Sequence, residues 1–122
     1  MDPVKFNKLG GAISVEVISK NNQAGSYTIL LWEANVNLVV IKRKGNFIND
    51  ADDKYELPLP VEMNNGRIID FIVTLITPLS LRSYDIEVIV TQDGKTIGFF
   101  RDSGTSLSST ISVEIMAVLE GV

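Results

Sequence analysis

Apolar residues recur at every second position along most of this chain, a spacing that suits a strand buried on one face and not an amphipathic helix. Ile13, Val15 and Val17 alternate with Ser14 and Glu16, which predicts a first strand over 11–19. In a second, over 26–34, Tyr27, Ile29 and Leu31 share one face and Thr28, Leu30 and Trp32 the other. A third covers 36–43, with Val36, Leu38 and Val40 opposite Val39 and Ile41. The fourth is long, 67–77, and lines up Ile69, Phe71, Val73 and Leu75. Tyr84, Ile86, Val88 and Val90 alternate with Asp85 and Glu87 in a fifth, 96–101 forms a sixth, and Ile111, Val113, Ile115, Ala117 and Leu119 mark the last. The stretch 59–63 adds a short further strand, and the best helical candidate is a single turn within 4–9.

Turn chemistry supports these divisions. Asn65-Gly66 and Asp93-Gly94 tolerate the positive φ of two-residue hairpins and each sits between apolar-alternating runs. The first is expected to join 59–63 to the fourth strand, the second to join the fifth to the sixth. Pro78 ends the fourth strand, because proline cannot donate to a ladder. Seven to eight short strands at this spacing predict an all-β fold, a two-sheet antiparallel β-sandwich of jelly-roll, C2-like or Ig-like topology. A length of 122 residues with no shift in composition makes 1–122 one domain. Residues 44–60 form the one long irregular segment, and 103–110 reads as a flexible connection bending at Gly104.

Composition narrows the function. A net charge of −4 lacks the basic footprint that phosphate backbones and anionic membranes require, so neither nucleic acid nor a membrane surface is the expected partner. The longest apolar runs, 29–32 and 38–41, hold four residues each, far short of a membrane span. The opening Met1-Asp2-Pro3-Val4-Lys5 has no apolar signal region, so cytoplasmic residence is expected. Cysteine and histidine are both absent. Ser-His-Asp and Cys-His nucleophile systems and ordinary zinc sites therefore cannot form, and a non-enzymatic module is the expected class. Gly94-Lys95-Thr96 resembles the tail of a phosphate loop, but Ile89 stands where the first glycine is needed, and the triplet reads as a turn.

Two features remain as candidate sites. Several strands are apolar on both faces: Ile68, Ile72 and Ile76 back the Ile69–Leu75 face, Met116 and Val118 back the last strand, and Leu30 and Trp32 back the second. A free sandwich dries only its inner faces, so this surplus predicts contact with a second copy or another protein, unless a bulge shifts the phase. Trp32, Ile72, Met116, Phe99 and Phe100 are the expected partner-binding residues. Phe99 and Phe100, being adjacent, must point to opposite faces. Taken alone, the single tryptophan, Trp32, reads first as a core anchor, with an exposed platform for stacking a sugar or a partner chain as its alternative. The second feature is the acidic stretch 49–56, where Asp50, Asp52, Asp53 and Glu56 could hold calcium through several carboxylate oxygens, as acidic loops do in C2 domains and some lectins. An EF-hand is excluded, since Tyr55 and Val61 occupy its glycine and closing-glutamate positions. The leading expectation is thus a structural or protein-interaction subunit of a homo-oligomer or larger assembly, with a calcium-dependent ligand-binding module as the alternative.

Overall fold

Alternating strands can bury their apolar sides only by pairing into sheets and laying two sheets face to face, and the chain does this. The computed structural model describes residues 3–20, 24–47, 54–76, 82–106 and 110–122. Nine strands follow in order among them: β1 (Pro3–Phe6), β2 (Ile13–Ser19), β3 (Gly25–Trp32), β4 (Val39–Asn46), β5 (Lys54–Glu56), β6 (Ile68–Ile76), β7 (Arg82–Gln92), β8 (Lys95–Ser106) and β9 (Thr110–Gly121). A five-stranded sheet is ordered β1-β9-β6-β3-β4 and a four-stranded sheet β5-β2-β7-β8. All pairings are antiparallel except β1 with β9, which is parallel, so the fold is an all-β sandwich with one parallel rim.

The core is the set of inward positions that the alternation predicts. Ile13, Val15 and Val17 of β2, Tyr27, Ile29 and Leu31 of β3, Ile69, Phe71, Val73 and Leu75 of β6, and Ile86, Val88 and Val90 of β7 are all buried. The two sheets are also joined by a polar contact, the Tyr27 and Tyr55 hydroxyls lying 2.8 Å apart. Tyr27 lies over Gly45, directly opposite on β4, where an added Cβ would strike its ring. At the other side, Gly98 of β8 leaves room for Val4 of β1, which draws one rim of the sandwich together. The opposite rim of the larger sheet, β4, carries the consecutive Lys42, Arg43 and Lys44, all exposed.

Several expectations are corrected. Residues 4–9 do not form a helical turn, because Pro3–Phe6 pairs with Val118–Gly121 as β1. The expected strand at 59–63 is instead a 3-10 turn, Val61–Asn64, in keeping with Pro58 and Pro60, which cannot donate to a ladder. Asn65-Gly66 therefore leaves that turn rather than closing a hairpin, although Gly66 does take φ +83°. Asp93 (φ 52°) and Gly94 (φ 74°) do form the hairpin expected between β7 and β8. The third expected strand is displaced to Val39–Asn46, and the irregular segment contains β5. Ser103–Ser106 continues β8, with Gly104 opposite Tyr84 instead of at a bend.

Candidate functional site

The outer faces of the two sheets differ, and the difference selects one of them. On the smaller sheet the outward residues include ion pairs: Arg101 donates to both carboxylate oxygens of Asp85 at 2.8 Å, and Lys20 lies 3.4 Å from Glu87. Phe99 stands on that face, 54% exposed, while Phe100 turns inward against the core. On the larger sheet, cross-strand register sets Trp32, Ile68 and Val118 side by side on β3, β6 and β9. The next outward row is Lys42, Leu30, Asp70 and Met116, followed by Lys44, Thr28, Ile72 and Glu114. Trp32, Ile68, Ile72 and Val118 are half-buried, Met116 is 40% exposed, and Val36 (56%) and Leu38 (58%) continue the apolar surface into the β3–β4 loop. Of the expected partner-binding residues, Trp32, Ile72 and Met116 thus share a face. Phe99 and Phe100 do not belong to it, and Trp32 faces outward instead of anchoring the core.

The β3–β4 loop rises beside this face and forms a groove of about 500 Å³ lined by Trp32, Glu33, Asn35, Val36, Asn37, Ile68, Asp70 and Met116. A buried polar relay fixes its wall. Arg67 donates from Nε and Nη2 to the two oxygens of Glu33 (3.1 and 3.0 Å) and from Nη1 to Asn64 Oδ1 (3.1 Å). Asn64 in turn donates to the Pro58 carbonyl, and Glu33 also accepts the Ala34 N–H. The Arg67 guanidinium, helped by that N–H, holds the Glu33 carboxyl below the usual carboxylate range. A depressed folded-state value stabilises the fold above the ordinary carboxylate pKa, and this contribution is lost as pH falls through the folded value. The melting temperature of Glu33→Gln should accordingly fall below that of the native chain near neutrality, and the gap should close on acidification below about pH 4. A gap independent of pH would rule out the ion pair as its source.

Asp70 is a further residue of this face, absent from the expected set although the alternation carries its signal: a lone acid between Ile68 and Ile72 where the face is otherwise apolar. It is only 5% exposed. The Trp32 indole Nε1 donates to Oδ2 at 3.3 Å, but Oδ1 has no donor. Asn64, Arg67 and Gln92, the other buried polar side chains described, are all hydrogen-bonded. Glu114 lies diagonally across on β9 and its carboxyl is raised, through hydrogen bonding to Asp70 and then through like-charge repulsion. Because a raised carboxyl withdraws stability as pH climbs through its folded value, Glu114→Gln is expected to raise the melting temperature at neutral pH. A lower midpoint would contradict that coupling.

Asp50, Asp52 and Asp53 lie outside the described residues. Glu56 is exposed on β5, and among the described residues no cluster of three or more metal-ligating side chains occurs. No described helix is long and apolar enough to cross a membrane. No family model matches the chain, and no significant match was found among curated proteins or solved structures.

Proposed function

We propose that this domain is a non-enzymatic interaction module that works through the outer face of its larger sheet, as a subunit of a homo-oligomer or a larger assembly. The observation that carries the reading is the row Trp32, Ile68 and Val118, continued by Leu30, Met116 and Ile72 across three strands. Full burial of an exposed apolar side chain is worth about 1.5–3 kcal/mol, and a partner covering these mostly half-buried side chains gains the remaining fraction of that for each. The opposite outer face, with its ion pairs, offers no comparable gain. The non-enzymatic part rests on a chain without histidine or cysteine, and cytoplasmic residence belongs to the same reading.

Self-assembly is tested by light scattering over a concentration series. The native chain should show a mass above that of the monomer and rising with concentration. Met116→Lys, at a position exposed enough to accept the charge without disturbing the fold, should weaken association about tenfold or more. A strictly monomeric native chain at high concentration would overturn the homo-oligomer.

A further inference from the structure

Asp70 sits at the floor of the groove between the β3–β4 loop and the outer sheet face, and its surroundings leave a specific chemical demand unmet. Its carboxylate is almost fully removed from water: one oxygen is held by Trp32, the other has no amide, hydroxyl or basic donor, and the remaining polar neighbour is the carboxyl of Glu114. A buried carboxylate oxygen without a donor calls for one supplied from outside the domain. Arg67, behind Glu33 of the groove lining, is already committed to Glu33 and Asn64, and Lys42, in the same outward row as Asp70, stands two strands away on the exposed rim. Around Asp70 the groove supplies the indole of Trp32, the side chains of Ile68, Val36 and Met116, and the side-chain amides of Asn35 and Asn37. Glu114 adds a second carboxylate on the neighbouring strand.

From this geometry we infer that the groove is a recognition site for an arginine side chain presented by a partner polypeptide. The guanidinium would reach Asp70 Oδ1, and its aliphatic stem would pack on Met116 and Ile68. Arginine fits better than lysine for two reasons. A planar fork can serve two carboxylates at once, here Asp70 and Glu114, whereas an ammonium acts as a point charge. Guanidinium also stacks on aromatic faces, and Trp32 is in the groove. Glu33 is already neutralised by Arg67, so the attraction for a cation comes from Asp70 and Glu114. The relay Pro58–Asn64–Arg67–Glu33 holds the wall in place before a partner arrives, which lowers the ordering cost of binding. This inference rests on the proposed interaction face and names the chemistry that the partner must bring to it.

The single tryptophan provides the test, since its indole N–H already donates to Asp70. Isotope-labelled protein, at a concentration where scattering shows monomer, is titrated with the blocked peptide acetyl-Leu-Arg-Leu-amide while the Trp32 indole resonance is followed. A saturable shift is expected in the millimolar range, at about 1 mM. The same peptide with citrulline, which keeps the shape and loses the charge, should bind at least about tenfold more weakly. Asp70→Asn should abolish the preference for arginine over citrulline. Glu114→Gln, an exposed position that leaves the fold intact, should reduce it and covers the case in which Asp70→Asn fails to fold. Equal response to both peptides, no response at about 10 mM, or a response only to calcium or magnesium chloride would each overturn the inference. Scattering separates the two readings. If the native chain assembles through Met116 and ignores arginine, only the arginine site falls; if it stays monomeric and binds arginine at Asp70, only the homo-oligomer falls.

Discussion

Replacing Phe71 by alanine is expected to cost about 3–5 kcal/mol, a large share of the roughly 5–15 kcal/mol that holds a domain of this size folded. Phe71 is fully buried at the middle of β6, between Ile29 of β3 and Ile115 of β9. β6 is itself the central strand of its sheet, so no rim is available to relax inward and fill the void. The loss therefore combines the transfer energy of the ring with the cavity it leaves. Urea denaturation checks it: the midpoint should fall sharply with an unchanged slope, which marks lost stability rather than an altered unfolded state. A change under about 1 kcal/mol would mean that the sheets collapse around the site and that the core is looser than its burial implies.

Gln92 yields the second large effect, through polar rather than apolar burial. Its Oε1 accepts the Asn7 N–H at 2.8 Å, and its Nε2 donates to the Asn7 and Gly11 carbonyls at 2.8 and 2.9 Å. One buried side chain thus stands in for a strand partner along the connection from β1 to β2. Gln92→Leu keeps the bulk and removes all three bonds, and should cost about 2–4 kcal/mol because the abandoned backbone groups lie partly out of water. The loss should be local as well as global: amide exchange at Asn7 should accelerate more than exchange within β6 or β7. Gln92→Glu offers a sharper control. Ionised, it places a carboxylate against two carbonyl oxygens; protonated, it regains one donor, so its stability should recover as pH is lowered. If Gln92→Leu left both the midpoint and the Asn7 exchange unchanged, the connection would be held by something other than this side chain.

Legibility in the sequence followed the range of the interactions. The inward sets of β2, β3, β6 and β7 could be read directly, because alternation is local and one buried face imposes it. The Asp93-Gly94 hairpin could be read for the same reason. β1 could not: four residues carry too little alternation, and its partner lies more than a hundred positions away on β9. β5 is three residues long and largely polar, so it has no local signature. Gly104 has the local signature of a bend, and its actual role depends on Tyr84, which lies across the β7–β8 ladder. At the candidate site the failure was of a different kind. The alternation already put Trp32 on the face of Thr28 and Leu30, away from the core, and put Asp70 between two outward isoleucines. A tryptophan suits a core or a surface equally well by residue type, and an acid between outward isoleucines looks solvated until its burial is known, so neither signal decides by itself. The exposed loop residues Val36 and Leu38 could not be placed beside Asp70 without the path of the chain between β3 and β4.

The basic rim has a bearing on how such domains can meet. An outermost strand leaves half its backbone groups free to recruit another strand, and repeated recruitment is how sheets grow into fibres. Lys42, Arg43 and Lys44 put positive charge along that open border, so two identical borders repel each other on approach. Lateral growth is penalised, and if the apolar face does bind a second copy as proposed, the charged border would favour stacking in closed, countable groups over unending ribbons.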